Sequence, residues 1–364
     1  MTRPAVNTPS QPPLMVDGAD PRAAVWKMVQ GVYRFSSLYV MARLDLAGLL
    51  KDGPRTAADL AESCGARTDQ LTRVLRALVA MGFLDAAGGP RIPGAQATDA
   101  YALNDQGATL LSDDPGSMRW AVLSAGEPGS WNAMSGVVDA VLGGVSPFAR
   151  EYGSMYGYLE QHPEAAGDFD AFMASRSRDT AEALVQRYDF GDVRTVTDVG
   201  GGTGIVLSTV MAAHPRIRGT LLDLEHVVRR GEQSFREQGL ADRCEFVAGD
   251  YFASVPEGAD LYLLSNVIHN LGRPDAVRLL RRVREAMRED SRVLALDILL
   301  PSDGQSHFGF DLNIRMMAVF PGGQERDQEE YKAVLHEAGL HVTGVTSLPR
   351  TPLSAIEAVR RSPV

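Results

Sequence analysis

Thr195-Val196-Thr197-Asp198-Val199-Gly200-Gly201-Gly202-Thr203-Gly204 decides the fold. A short run of strand-forming residues feeds directly into a glycine cluster. Glycine lets the backbone turn sharply and approach a ligand with no Cβ in the way. Downstream the pattern repeats. Strands are expected at 195–199, 219–223, 244–247, 260–264 and 293–299, with helices between them such as Asp275–Met287. That alternation predicts an α/β architecture: a doubly wound parallel sheet with helices on both faces.

Acids stand at the expected strand ends. Asp198 precedes the glycines, and Asp223 closes the second strand, where a carboxylate can accept both hydroxyls of a ribose. After the third strand comes Gly249-Asp250-Tyr251-Phe252. Asp250 can accept an adenine amino group, and Tyr251 or Phe252 can cover the ring. The glycines alone say little, since a dinucleotide fingerprint reads G-x-G-x-x-G and seats pyrophosphate on a helix N-terminus. Here Gly200, Gly202 and Gly204 alternate beside the carboxylate of Asp198, which suits a cationic ligand better. S-adenosylmethionine, a sulfonium without phosphate, fits that set. A purely structural turn or a nicotinamide cofactor are the competing readings.

Working back toward the N-terminus, residues 111–190 read as mostly helical, with turns at Gly143-Gly144 and Tyr152-Gly153. Before them lies a compact module. Thr56 is expected to cap a helix over Ala57–Cys64 that Gly65 ends, and Thr68 to cap the next, with Leu71, Val74, Leu75 and Leu78 inward. A turn at Gly88-Gly89-Pro90 and the extended Tyr101-Ala102-Leu103 complete a winged helix-turn-helix. Such a module either binds DNA or serves packing and dimerisation. Its second helix offers only Arg73 and Arg76, and residues 1–110 hold 11 Lys+Arg against 10 Asp+Glu, so the basic stripe of a DNA reader is missing. Upstream, residues 22–51 show helical spacing. Val25, Met28, Val29, Val32 and Tyr33 form one apolar face, and Leu38, Met41, Ala42 and Leu49 form another, before Gly53-Pro54 breaks the helix. An apolar face of that length calls for a partner.

Composition narrows the function classes further. Hydrophobic residues make up 45% and charged residues 23%, which excludes wholesale disorder and coiled coil. The net charge of −10 disfavours nucleic acid. No apolar run approaches the length of a membrane span. Two cysteines, Cys64 and Cys244, are too few for a disulfide framework or a cysteine-based metal site, so no metal is expected and a reducing cytoplasm is the default. Residues 1–21, with five prolines and no apolar core, read as a disordered tail.

From these residues outward, roughly over 22–360, the chain resembles the class I S-adenosylmethionine-dependent O-methyltransferases that carry an N-terminal winged-helix dimerisation domain. That group includes plant caffeate and isoflavone enzymes and bacterial enzymes of anthracycline and mitomycin biosynthesis. The resemblance is carried by 196–204, by Gly219-Thr220-Leu221-Leu222-Asp223-Leu224, by Gly249-Asp250, by Val267-Ile268-His269-Asn270, by Gly322-Gly323-Gln324-Glu325-Arg326 and by Pro352-Leu353-Ser354-Ala355-Ile356-Glu357-Ala358. It implies a Rossmann-like seven-stranded sheet over 191–364, a winged-helix dimerisation domain over 22–110, and a helical, substrate-lining region over 111–190. It implies S-adenosylmethionine as cofactor, held by Asp198, Gly200, Gly201, Gly202, Gly204, Asp223, Leu224, Gly249, Asp250, Tyr251, Phe252 and Ser265. It makes His269 the general base, steered by Asp297 and Glu325. It places Phe169, Met173, Asn266, Asn270, Asn313, Met316 and Phe320 against the acceptor. The acceptor would be a small aromatic molecule with a phenolic or enolic hydroxyl, the enzyme bacterial, and the assembly a homodimer with no affinity for nucleic acid or membrane.

The chemistry agrees. Methyl transfer is an in-line displacement with an activated leaving group, so the enzyme must position the acceptor and remove its proton. A phenol ionises near pH 10 unaided, and an imidazole can assist it. Four positions depart from the commonest family form. Ser265 replaces a lysine, Leu271 a tryptophan, Glu225 a proline and Asp297 a glutamate. The shorter Asp297 puts its hydrogen bond to His269 in doubt. Some members of the group keep the cofactor and act as hydroxylases or pericyclic catalysts, often after losing the base. His269 is present here, which keeps O-methylation first and leaves a transcription factor as the remote alternative.

Overall fold

The computed structural model describes residues 21–87, 100–114 and 116–361. Of the expected tail at 1–21, residues 1–20 lie outside the described ones, as does the Gly88-Gly89-Pro90 turn, and Pro21 opens a helix instead. Contacts divide the chain into two units, Met1–Gly126 and Glu127–Val364.

In the first unit three short strands, β1 (Arg55–Thr56), β2 (Leu84–Ala86) and β3 (Ala100–Leu103), form a small sheet in the order β1-β3-β2. Thr56 caps the helix Ala57–Cys64 through a capping box with Asp59, and Gly65 ends it in the left-handed region. The next helix, Thr68–Ala80, corrects an expectation. Thr68 is its first helical residue, and Arg67 occupies the cap position without a side-chain bond. Arg67 instead hydrogen-bonds to Asp69, an acid in the first turn, where the helix dipole favours negative charge. Leu60, Leu71, Leu75, Leu78, Leu84 and Tyr101 are buried together with Met41, Leu46 and Leu50. The long helix Pro21–Arg43 leaves Val25, Trp26, Met28, Val29, Val32 and Tyr33 exposed, which is the apolar face read from the sequence.

In the second unit β4 (Thr195–Val199), β5 (Arg218–Asp223), β6 (Cys244–Ala248), β7 (Leu261–Ser265) and β8 (Arg292–Leu300) are parallel. The two-residue β9 (Arg326–Asp327) joins the end of β8. Then β10 (Leu340–Ser347) and β11 (Leu353–Arg360) complete the order β10-β11-β8-β7-β4-β5-β6, with β11 antiparallel to both neighbours. Strands buried on both faces need side chains for two cores. In β8, Leu294, Leu296 and Ile298 join one hydrophobic cluster, while Val293 and Ala295 join the other. In β7, Leu261 and Leu263 go to the first cluster, Tyr262 and Leu264 to the second. Burying a leucine fully is worth about 1.5–3 kcal/mol, so this alternation fixes the register of the central strands. The chain leaves β4 for β5 and β6 on one side and returns to β7 and β8 on the other. That reversal opens a crevice at the C-terminal strand ends, where ligands bind in open α/β sheets.

Candidate active site

The loop after β4 forms one wall of the crevice. An added Cβ at Gly201 would lie 2.4 Å from Cγ of Asp198, so no other residue lets the loop sit this close to that acid. Gly202 has φ of +62° and turns its N–H onto Asp223 Oδ2 at 2.8 Å. The Leu224 N–H donates to Asp223 Oδ1 at 2.7 Å. The end of β5 thus holds its carboxylate at the crevice by two backbone donors and leaves further lone pairs for a ligand. Burial raises the pKa of Asp223 above the usual carboxylate value, and the two N–H groups oppose the rise. After β6, Asp250 Oδ1 accepts the Phe252 N–H at 2.8 Å. Tyr251 packs edge-on against Phe252, and the Arg278 guanidinium lies over the Phe252 ring at 4.0 Å.

Asp198 is buried, and neither carboxylate oxygen has a hydrogen-bond partner. Burial, with the nearby charge of Asp223, pushes its pKa up to about 8. An unanswered carboxyl in a cradle without Cβ atoms suits a ligand bearing positive charge. S-adenosylmethionine brings a sulfonium, an ammonium and a ribose for Asp223, so the residues present fit it.

The opposite wall carries His269, in the single turn Ile268–Asn270 after β7. His269 is buried, and its Nδ1 lies 2.7 Å from Glu325 Oε1. A carboxylate can only accept, so Nδ1 carries a proton, and in the neutral ring the lone pair is then on Nε2. Glu325 is held in turn: its N–H donates to Asn313 Oδ1 at 2.9 Å. The histidine turn is stapled from beneath by the buried Arg326, which donates to the carbonyls of Ile268 at 3.1 Å and Leu271 at 2.7 Å. The Gln324 N–H bonds the carbonyl of His269 itself at 2.9 Å.

Asp297 stands apart from this pattern. β8 runs to Leu300, and Asp297 is fully buried inside it. No hydrogen bond joins it to His269. Its Oδ2 accepts from the Tyr331 hydroxyl, and its Oδ1 has no partner. Burial pushes its pKa up to about 6, against the pull of His269. With one methylene fewer than glutamate, the side chain reaches His269 through its field alone.

Between the walls lies a cavity of about 600 Å³, within the range of small-molecule sites. Of the residues expected at the cofactor, Asp198, Gly200, Gly201, Gly202, Asp223, Leu224, Gly249, Asp250, Tyr251, Phe252 and Ser265 line it. Gly204 does not; it starts the helix Ile205–Ala213 as a left-handed cap. Of those expected at the acceptor, Phe169, Met173, Asn266, Asn270, Met316 and Phe320 line the cavity beside His269. Asn313 does not, being turned to Glu325. Sequence reasoning missed Tyr156, whose hydroxyl accepts from Asn270 Nδ2 at 3.2 Å, and two arginines of the wall, Arg176 and Arg315. Arg315 left a signal, a lone charge in the apolar run Ile314–Phe320.

Residues 131–341 match the model of the O-methyltransferase domain, and residues 26–113 that of the O-methyltransferase dimerisation domain. The chain belongs to the O-methyltransferase family. A family relative, the phenazine O-methyltransferase of Lysobacter antibioticus, is 34% identical over 94% of this chain and 97% of its own. The solved mitomycin 7-O-methyltransferase superposes with a TM-score of 0.86 at 33% identity, covering 93% of this chain and 97% of that one. A methyltransferase of calicheamicin biosynthesis, solved with S-adenosylhomocysteine bound, has a TM-score of 0.75 at 30% identity over 95% of this chain and 99% of that one. This family member is an S-adenosylmethionine-dependent O-methyltransferase. Its N-terminal domain is of the dimerisation type, and among the described residues no helix is long and apolar enough to cross a membrane.

Proposed function

We propose that the protein methylates a phenolic or enolic hydroxyl of a small aromatic natural product in bacterial secondary metabolism, with His269 as general base. The observation that carries this reading is the 2.7 Å bond between His269 Nδ1 and Glu325 on the wall of a cavity lined by Phe169, Phe172, Tyr156 and Phe320. Asp223 holds the ribose of the cofactor, Asp250 the adenine amino group, and Tyr251 with Leu224 the ring. S-adenosylmethionine, when bound, would supply a methyl group on positively charged sulfur, whose electron pair would stay on sulfur when the acceptor oxygen takes the methyl. His269 Nε2 takes the hydroxyl proton, and Glu325 stabilises the imidazolium that results. The buried charge of Asp297 adds to that stabilisation from within the sheet. Phe169, Met173, Asn270, Met316 and Phe320 shape the acceptor's berth.

Incubation with methyl-labelled cofactor and a panel of phenols tests the reading. Label should appear as an aryl methyl ether, with one equivalent of S-adenosylhomocysteine. Cofactor bound with no methyl passed to any hydroxyl, once the natural acceptor has been supplied, would overturn it in favour of a non-methylating reaction.

Asp198 gives the cofactor affinity a pH signature. In the free enzyme its carboxyl is protonated below about pH 8, because burial disfavours the anion. A cationic ligand binds best to the anion, so below that value binding releases a proton. The dissociation constant for S-adenosylmethionine should therefore fall about tenfold per unit as pH rises from 6 toward 8, then level off. Calorimetry across that range, in buffers of different ionisation heat, reads both the affinity and the proton. A flat profile would remove Asp198 from contact with the charged end of the cofactor.

We assign residues 22–110 to dimerisation, 111–190 to a helical region that lines the acceptor berth, and 191–364 to cofactor binding, in an enzyme of the reducing cytoplasm. The exposed apolar face of the helix Pro21–Arg43 supports a homodimer. Light scattering at micromolar concentration should return twice the 39.3 kDa of one chain. A monomer mass, or a salt-resistant gel shift with a defined DNA, would contradict the assignment.

A further inference from the structure

Two guanidinium groups reach the cavity with nothing to answer them. Arg176 lies on the helix Pro163–Arg187 and Arg315 on the helix Phe308–Val319, and both line the same cavity as His269. The Nη2 atom of each is sealed from solvent and has no hydrogen-bond partner. The nearest aromatic contact, the Phe172 ring 5.5 Å from the Arg176 guanidinium, satisfies no N–H. Buried Arg326 is a contrast, since its guanidinium is spent on three backbone carbonyls. Arg230 at the cavity rim pairs with Asp170.

The two free groups are neighbours. Burial lowers the pKa of Arg315, and the like charge of Arg176 lowers it further. Burial also lowers that of Arg176, which feels the opposing fields of Glu325 and Asp297. The fields of Glu325 and Asp297 put Arg176 within reach of the base end of the cavity, and Arg315 within reach of Arg176 and Tyr156. An arginine cannot escape burial by losing its proton, so two unpaired ones side by side are costly until an anion arrives. The cofactor brings one carboxylate against an ammonium and a sulfonium, so as a whole it adds one positive charge to the cavity that already holds both arginines.

We propose that the acceptor is itself an acid: a hydroxyaryl carboxylate whose carboxylate is held by Arg176 and Arg315 while its hydroxyl faces His269. This rests on the reading of the cavity as an acceptor site. Planar guanidinium forks match a carboxylate in geometry as well as charge, and they bind it through paired N–H groups. The ion pair then sets how far from the acid group a hydroxyl must lie to meet the base, so the arginines select the position methylated as well as the molecule.

The test uses the full-length enzyme and pairs of probes, hydroxybenzoic and hydroxynaphthoic acids with their neutral carboxamides. Binding to the enzyme–S-adenosylhomocysteine complex is read by calorimetry, and methyl transfer is read separately. At least one acid should bind roughly 10²-fold more tightly than its carboxamide. In Arg176→Gln and Arg315→Gln that preference should collapse, with the acid losing affinity and the carboxamide not. A merely structural arginine would weaken both alike, and that result would overturn the proposal. So would a panel in which no acid is preferred, or variants that lose S-adenosylhomocysteine instead, which would assign the arginines to the cofactor's own carboxylate. Acids that bind through the arginines and are never methylated would support this inference and overturn the methyl-transfer reading. Carboxamides methylated as well as acids would do the reverse.

Discussion

His269→Ala should bind S-adenosylhomocysteine as the native chain does and lose turnover by roughly 10²–10⁴-fold, the range for a positioned base. The affinity should hold because the acids expected at the cofactor, Asp198, Asp223 and Asp250, stand on or just after β4, β5 and β6, and the histidine on the turn after β7. Acceptors with a more acidic hydroxyl should suffer less, since they ionise without help. Full transfer to every phenol tested would leave proximity alone as the mechanism. The substitution also has a structural cost. His269 is buried, and its loss strands Glu325 Oε1 beside an Oε2 that already lacks a partner. An unanswered buried acceptor costs about 1–3 kcal/mol, so a lowered melting temperature is expected and the kinetics should be read well below it. Glu325→Gln is the companion variant. It keeps an acceptor for Nδ1 and removes the charge that stabilises the imidazolium, so it should lower kcat with little change in KM.

Asp223→Ala is expected to weaken cofactor binding by a comparable factor, roughly 10²–10⁴-fold. Two ribose hydroxyls lose a charged acceptor, and hydrogen bonds to charged groups are worth about 1.5–3 kcal/mol each. The N–H groups of Gly202 and Leu224 lose their acceptor as well, so the loop after β4 should loosen in the same variant. Calorimetry with S-adenosylhomocysteine measures the first effect, and amide exchange at Gly202 the second. Unchanged affinity would take Asp223 out of the site.

The central parallel strands β4, β7 and β8 were legible because they are buried on both faces. Such strands are short apolar runs, and the glycines and acids that end them are also the ligand contacts, so one pattern reports both fold and site. The two C-terminal strands carried less signal. β10 is largely exposed, and its pairing with β11 is interrupted between Val342 and Gly344, so its alternation is broken. Thr68 misled because cap and first-turn positions favour overlapping residue types, and the carboxylate of Asp69 supplies the favourable charge at the helix start. Asp297 misled for another reason. The sequence shows an acid near the ligand edge of the sheet, and only the fold shows that its hydrogen-bond partner is the Tyr331 hydroxyl and not His269. Arg176 gave no sign in the sequence, and Arg315 only that of a lone charge in an apolar run. What singles them out is the absence of a partner, and that is a property of the folded cavity rather than of any stretch of sequence.

One helix, Phe308–Val319, serves two purposes at once. It presents Arg315 and Met316 to the cavity, and it carries Asn313, whose side chain fixes the backbone of Glu325 and through it the imidazole. Breadth of acceptance and speed are therefore tied mechanically. A bulkier acceptor that pushes this helix outward also drags the acid behind the base. Variants selected at 315 or 316 for new acceptors should lose rate even on molecules that fit them well. The route to a broader enzyme then runs through Phe169 and Met173, on a helix that makes no hydrogen bond to the histidine or its acid.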